Sequence, residues 1–120
     1  RISSDLFDLF QGVANQNLAE KEFSIRKEVA TTVMLVSGGY PEAYDKGKEI
    51  SGLENVKNAT IYHSGTKRKQ DIIVTSGGRV MAITSFGKDI NEALKKSYKS
   101  IESIHFDKMN FRKDIGFDLL

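Results

Sequence analysis

The chain contains no cysteine, so it cannot form disulfide bonds, use a thiolate nucleophile or bind zinc through cysteine. This absence fits a reducing compartment, and we expect a cytoplasmic protein. No stretch approaches the ~18 apolar residues of a membrane span, and no signal-peptide pattern is present. We therefore expect no membrane partner. The formal net charge of +2 is too small to indicate nucleic acid as a partner.

The sequence also lacks the residue patterns of a complete active site. His63 and His105 are its two histidines, and no carboxylate pair accompanies them at a metal-ligand spacing. No G-x-S-x-G or Walker-type loop is present, and no cluster of carboxylates suits Mg²⁺. The sequence therefore predicts no catalytic residue and no metal site in this chain.

The length of 120 residues fits one domain with a modest core. Hydrophobic residues make up 39% of the chain and charged residues 28%, as in a globular protein. The first residue is Arg1 rather than methionine. We therefore expect residues 1–120 to be one domain of a longer protein.

Two helices are predicted from apolar residues at helical spacing. Ser3 or Ser4 can cap the first helix, whose apolar stripe is expected to contact the core. That stripe comprises Leu6, Phe7, Leu9, Phe10, Val13 and Ala14. Asp89 with Glu92 resembles a capping box for the second helix. Its stripe comprises Ile90, Ala93, Leu94, Ser97, Tyr98, Ile101 and Ile104. In the tail, apolar residues suggest packing back onto the sheet: Phe106, Met109, Phe111, Ile115 and Phe117.

Residues 28–37 form the strongest predicted strand, because they are dense in β-branched side chains. Shorter extended pieces are predicted at 23–25 and 48–52. We expect an α+β fold: a small, strongly bent antiparallel sheet of about five or six strands with two helices.

Residues 60–84 read as a meander of three short strands, around which we expect the chain to be organised. Gly77-Gly78 is predicted as a hairpin turn, because glycine enters positive φ without steric cost. The preceding loop, 64–69, combines backbone N–H groups, a hydroxyl and three cations. Together with Arg79, this loop is suited to holding an anion, most plausibly a phosphate.

Two other interpretations of the same cations stay open. Lysine and arginine at a hairpin tip are commonly solvated, and edge strands carry lysine against aggregation. Alternatively, Lys67, Arg68 and Lys69 could serve a non-catalytic module that binds RNA or DNA. The near-neutral charge and the lack of interleaved aromatics argue against nucleic acid. The lysines of the second helix are expected to be solvated.

A series of motifs, taken together, resembles the C-terminal domain of phosphoribosylamine–glycine ligases. The matching segments are Val36–Pro41 (VSGGYP), Lys46-Gly47, Ile50–Leu53 (ISGL), His63–Thr66 (HSGT), Thr75–Thr84 (TSGGRVMAIT), Ile104–Phe106 and Arg112–Gly116 (RKDIG). They occur in order over nearly the whole chain. The resemblance implies a barrel-sandwich sheet of the type called a rudiment single-hybrid motif.

The resemblance implies an ATP-grasp ligase of purine biosynthesis. That enzyme joins glycine to 5-phosphoribosylamine with ATP and Mg²⁺, through a glycyl phosphate intermediate. Its ATP-grasp core would lie before residue 1 and would be the partner of this domain, which closes one side of the substrate cleft. The nucleotide and metal ligands belong to that core, so this chain alone is expected to bind neither cofactor and to be inactive.

In related enzymes, a lysine and an arginine of the matching hairpin grip the ribose phosphate of the substrate. By position these residues correspond to Lys67 and Arg79. Backbone groups of Gly65, Thr66 and Gly78 complete the expected phosphate site. The usual Asp-Gly turn is replaced by Gln70-Asp71, so Arg68 could take the place of Lys67.

Overall fold

The computed structural model describes residues 1–119 and contains two α-helices and six strands. The helices are α1 (Leu6–Ala14) and α2 (Ile90–Ile101). The strands are β1 (Val29–Val36), β2 (Glu49–Ile50), β3 (Thr60–His63), β4 (Thr66–Lys69), β5 (Ile72–Thr75) and β6 (Arg79–Gly87). Short 3-10 turns lie at Leu18–Glu20, Leu53–Asn55 and Phe117–Leu119.

The strands form two antiparallel sheets of three strands each. Sheet I has the order β1-β6-β3, and sheet II has the order β2-β5-β4. The predicted α+β class, with antiparallel strands and two helices, is confirmed. No closed barrel forms within residues 1–119.

The central stretch is one long bent hairpin of four strands, so the predicted three-strand meander is wrong in its strand number and its connections; the predicted loop at 64–69 contains β4. β3 pairs with β6 in sheet I, and β4 pairs with β5 in sheet II. The turn lies at Gln70-Asp71, where Gln70 has a φ of 54°. Gly77-Gly78 is not a hairpin turn, because β5 and β6 belong to different sheets. It lies at the bend where the hairpin passes from one sheet into the other.

Helix α2 packs on one face of sheet I and forms the core with it. The Asp89 carboxylate accepts a hydrogen bond from the Glu92 N–H at 2.8 Å, which confirms the predicted cap. Thr31 Oγ1 and Ser97 Oγ lie 3.2 Å apart between β1 and the helix. The buried core residues are Val33, Leu35, Ile50, Val80, Met81, Ile83, Ile101, Ile104 and Phe106. The predicted apolar face of the second helix therefore does pack on the sheet.

The tail packs partly as predicted. Met109, Phe111 and Ile115 contact the core, and the Tyr98 hydroxyl donates to the Arg112 carbonyl at 3.1 Å. Phe117 differs from the prediction, because 61% of its surface is exposed. The guanidinium of Arg112 lies 5.7 Å from its ring centroid, so the ring covers a cation rather than the sheet.

The N-terminal residues form a separate small unit around α1. Asp5 caps this helix by accepting from the Phe7 and Asp8 N–H groups, in place of the predicted Ser3 or Ser4. Both serines instead bond to Ser24. The expected strand at 23–25 is reduced to one bridge, Ile2 to Ile25.

The apolar stripe of α1 does not contact the core of this chain, contrary to the prediction. Leu9 is buried, but Phe7 is 70% exposed, Phe10 63% and Val13 59%. The radius of gyration is 17.3 Å. A compact chain of this length would have about 13–14 Å. The α1 unit therefore projects away from the sheets.

Truncating Ile101 to alanine should destabilise the fold by about 2–5 kcal/mol, because its side chain is almost fully buried between α2 and sheet I. Equilibrium denaturation of the chain measures this loss. Lys99→Ala on the exposed side of the helix is the matched control and should stay within about 0.5 kcal/mol. Equal, small effects of both substitutions would mean that α2 does not pack as described.

Candidate phosphate-binding hairpin

The bend of the long hairpin is a close approach of two backbones. The Gly65 N–H donates to the Arg79 carbonyl at 2.9 Å. The N–H groups of Ser76 and Gly77 both donate to the Gly65 carbonyl, at 2.7 and 3.1 Å. Two successive donors on one carbonyl are the pattern of a β-bulge, which bends a strand and increases its twist. The bulge thus turns the hairpin from sheet I into sheet II.

Only glycine fits at position 65, because the neighbouring backbone leaves no space for a side chain. A Cβ there would lie 2.8 Å from the Gly77 Cα and would collide with the Arg79 carbonyl oxygen. The sequence therefore places glycine where the two strands cross most closely.

The same geometry corrects one part of the predicted anion site. The sequence predicts free backbone N–H groups in this loop. Those of Ser64 and Gly65 donate instead to the carbonyls of Val80 and Arg79, at 3.1 and 2.9 Å. They hold the hairpin together and are not directed at a ligand. Any anion at this bend would therefore be bound chiefly by side chains.

A second irregularity turns Arg79 outward. Leu35 pairs with Met81, but Val36 pairs with Arg79, so Val80 is an extra residue in β6. Val80 and Met81 are both fully buried, whereas Arg79 is exposed. Strict alternation from Met81 would have directed Arg79 toward the core. The extra residue places it on the face of sheet I that points away from α2.

The cationic side chains of the hairpin have no protein partner in the described part of the chain. Within residues 1–119, no hydrogen bond or ion pair involves the side chains of Arg79, Lys67 or Arg68. β4, which carries Lys67 and Arg68, is an edge strand of sheet II. Exposed lysine on an edge strand also protects against edge-to-edge pairing, so exposure alone does not assign a ligand.

The strand register separates Lys67 from Arg68. Lys67 pairs with Val74, and Arg68 pairs with Ile73. Directly opposed residues of antiparallel strands project from the same face. Ile73 packs against the core cluster, but Val74 is also buried, with 1% of its surface exposed, so both faces of β5 are covered. Lys67 and Arg68 therefore project from opposite faces of sheet II, and both side chains are exposed.

The other predicted site residues lie around the bend. Thr66 Oγ1 is 2.9 Å from His63 Nδ1. Gly78 lies under the ring of Tyr40, which leaves no room for a Cβ. Ser37 Oγ donates to the Gly77 carbonyl at 3.0 Å, and the Ser37 N–H donates to that of Gly78 at 2.8 Å.

The SGGYP segment therefore supports the TSGGR segment directly. Both segments are recognisable motifs in the sequence, but the sequence does not predict that Ser37 and Tyr40 contact the bend. The sequence signal for this contact is the presence of two glycine pairs, Gly38-Gly39 and Gly77-Gly78. Ser37 and Tyr40 flank the first pair in the sequence and pack against the second.

Lys48 is a nearby cation that is already paired. Its Nζ lies 2.9 Å from the Asp107 carboxylate, and its backbone bonds to Thr75. The hydrogen bond that the Lys48 ammonium donates to the Asp107 carboxylate raises the pKa of Lys48 and lowers the pKa of Asp107. Lys48 therefore joins sheet II to the tail and is a poor candidate for a ligand.

Within residues 1–119, no three histidine or acidic side chains come together in a way that could hold a metal ion. No helix in this part of the chain is long and apolar enough to cross a membrane.

The fold is that of an α+β domain with two small antiparallel sheets. A bent hairpin with exposed cations joins the two sheets. Residues 30–118 match the family model described as phosphoribosylglycinamide synthetase, C domain. The chain belongs to this family.

Known relatives agree with this assignment. The chain is 40% identical to a phosphoribosylamine–glycine ligase of Caldanaerobacter subterraneus, which matches 96% of this chain and 28% of the relative. It is 37% identical to the trifunctional purine biosynthetic protein adenosine-3 of Gallus gallus, covering 97% of this chain and 12% of that protein. The crystal structure of a phosphoribosylamine–glycine ligase from Thermotoga maritima is similar with a TM-score of 0.71 at 30% identity. That match covers 88% of this chain and 27% of the Thermotoga chain.

The chain thus spans less than a third of the length of these relatives. Residues 1–29 precede the family's C domain, yet the alignments with whole ligases cover 96% of the chain. The α1 unit therefore corresponds at least in part to a segment of those ligases that lies before the C domain.

Replacing Gly65 with alanine should destabilise the fold by about 1–3 kcal/mol, the usual cost of inserting a methyl group where no space exists. The new Cβ would force the two strands of the bend apart. Ser64→Ala is the matched control, because Ser64 is exposed and its backbone bond to Val80 is kept. Thermal unfolding of the two variants compares them. A Gly65→Ala variant as stable as Ser64→Ala would contradict the close approach described for this bend.

Proposed function

We propose that this chain is the carboxyl-terminal part of an ATP-dependent ligase that joins glycine to 5-phosphoribosylamine in purine biosynthesis. Membership of the C-domain family and the names of the relatives support this proposal. ATP and Mg²⁺ are assigned to the remaining part of such a ligase, because residues 1–119 offer no cluster of metal ligands. The contribution of this chain is to close one side of the substrate cleft and to hold the ribose phosphate.

The observation that carries the phosphate role is the outward guanidinium of Arg79 at the hairpin bend. The bulge at Val80 exposes this side chain, and no partner within residues 1–119 neutralises it. A guanidinium presents its N–H groups as a planar fork that can make two charge-assisted bonds to phosphate oxygens. Such a group is suited to the phosphate of phosphoribosylamine.

The second cation is Lys67 or Arg68, which lie on opposite faces of β4 and are both exposed. Lys67 is the companion of Arg79 that the family resemblance implies, and Arg68 is the alternative. Thr66 and Gly65 hold the strand that carries both side chains, and Gly78 is fixed against Tyr40.

The partner of this chain would be the rest of the ligase, bound through the apolar face of α1. An apolar groove of about 330 Å³ runs along this face, lined by Leu6, Leu9, Phe10, Val13, Leu18 and Phe23. Exposed apolar patches of this kind mark contact surfaces. The α1 unit precedes the C domain and is included in the alignments with whole ligases, so the occupant that fits is the preceding part of the same polypeptide.

The alternative of a nucleic-acid module rests on the exposed cations of β4. Family membership favours the ligase over this alternative. Retention of the intact protein on a nucleic-acid column, lost with increasing salt and with Lys67→Ala, would favour the alternative.

In the intact ligase, Arg79→Ala should lower kcat/KM for phosphoribosylamine by about ten- to a hundred-fold, because hydrogen bonds between charged groups contribute roughly 1.5–3 kcal/mol. The phosphate is remote from the bond being made, so the loss should fall largely on KM. Arg79→Lys should be intermediate, since it keeps the charge but loses the fork. The KM values for ATP and glycine should barely change.

Steady-state kinetics with each substrate varied in turn measures these effects, with Lys69→Ala at the hairpin tip as the matched control. A structural role for Arg79 predicts the reverse result. The melting temperature would then fall while the kinetics of the folded enzyme stayed at the wild-type values.

Phe10→Ala should affect the intact ligase and the 120-residue chain differently. If Phe10 packs against the preceding part of the ligase, the intact protein should lose about 3–5 kcal/mol, as for other buried phenylalanines. In the 120-residue chain the same side chain is 63% exposed, and the change should stay within about 0.5 kcal/mol. Denaturant unfolding of both forms measures the difference. Phe117→Ala, on the tail, is the control. If Phe10→Ala lowered the free energy of unfolding by a similar small amount in both forms, the proposed contact would be excluded.

A further inference from the structure

A basic groove lies beside α2, at the opposite end of β6 from Arg79. It consists of two adjoining cavities of about 430 and 290 Å³, which share Lys57, Asn58 and Lys96. Ser85 and Phe86 of β6 line the smaller cavity. At about 3.4 Å per strand residue, the groove is roughly 20–24 Å from Arg79. It is therefore separate from the hairpin bend.

The groove is strongly cationic. Lys57, Lys95, Lys96 and Lys99 line its larger cavity, together with one carboxylate, Glu92. Lys96 is already paired. Its Nζ lies 2.7 Å from Glu92 Oε1 and donates a hydrogen bond to the Phe86 carbonyl at 2.9 Å. The hydrogen bond from Lys96 is the main cause of the lowered pKa of Glu92.

The other three lysines keep their charge uncompensated within residues 1–119, since no ion pair there involves Lys57, Lys95 or Lys99. Lys95 and Lys99 are four residues apart on one helix, a spacing at which like charges repel. Lys57 faces them from the segment before β3. A bound anion would relieve this repulsion.

The groove also contains neutral hydrogen-bonding groups. Asn55, Asn58, Ser100 and Ser103 line it, and amides and hydroxyls can donate to phosphate oxygens.

We propose that this groove binds a small anion with two or more phosphate groups. The volume of the larger cavity lies within the usual range for small-molecule sites. Lysine binds phosphate as a compact point charge, and the lysines on both walls suit an anion with several phosphates. A stacking surface for a nucleic-acid base is not offered, because the ring of Phe86 is covered by the Arg26 guanidinium at 5.2 Å.

The test is site-resolved lysine acetylation of the intact ligase, with inorganic pyrophosphate as the probe and sodium chloride of equal ionic strength as the reference. Pyrophosphate should slow acetylation of Lys57, Lys95 and Lys99 by about threefold or more, because a charge-assisted bond occupies each ammonium group. Lys113 in the tail should react at an unchanged rate. Equal rates at the three groove lysines with and without pyrophosphate would overturn the proposal.

A double variant, Lys57→Gln with Lys99→Gln, separates groove binding from a general charge effect. Both side chains are exposed, so the melting temperature should not change. Protection of Lys95 should be lost in this variant. It should persist in the matched control Lys67→Gln with Lys69→Gln, which removes the same charge from the hairpin. Protection that survives the groove variant, or that disappears equally in the control, would refute the groove as the site.

An RNA oligonucleotide serves as the competing probe. Protection of the groove lysines by RNA but not by pyrophosphate would replace the proposal with nucleic-acid binding. These outcomes do not depend on the Arg79 kinetics, so the groove and the proposed ligase function succeed or fail separately.

Discussion

The close approach of Gly65 to Gly77 and Arg79 is the contact on which the rest of the sheet structure depends. Three backbone hydrogen bonds use the N–H or carbonyl of Gly65, and no side chain beyond hydrogen fits there. Because the strands can cross this closely, one hairpin supplies two strands to each sheet. With a larger residue at this point the two sheets could not share the hairpin, and the cations of β4 would lose their position relative to Arg79.

The same bend explains why Arg79 is available to a ligand. The bulge at Val80 places the side chains of Val80 and Met81 in the core and leaves that of the preceding residue, Arg79, in solvent. Ser37 and Tyr40 contact Gly77-Gly78, the glycine pair directly before Arg79. The guanidinium is thus held at its base by a rigid backbone while its end has no partner within residues 1–119. In the proposed function, such an arrangement would keep the guanidinium positioned before a substrate arrives.

The sequence predicted those features that depend on local pattern. Helix α2, its Asp89 cap and its buried face follow from apolar spacing and capping chemistry, both of which act within a few residues. Strand β1 follows from its β-branched run. The pairing of β3 with β6 was missed, because a Gly-Gly pair signals a tight turn and a bulge equally well. The partners of Gly78 were missed for a related reason: Tyr40 is distant in sequence, and only the folded sheet brings its ring onto the bend.

Helix α1 illustrates the limit of such reasoning most directly. Apolar spacing predicts that a helix face is buried, but it does not specify what covers the face. Helix α2 is covered by sheet I, whereas α1 in this chain leaves Phe7 and Phe10 mostly exposed. An isolated helix of nine residues is too short to be stable in water, so its stability has to come from packing. Since sheet I is already covered by α2 on its core side, the proposed function assigns the packing partner of α1 to the part of a ligase that precedes the C domain.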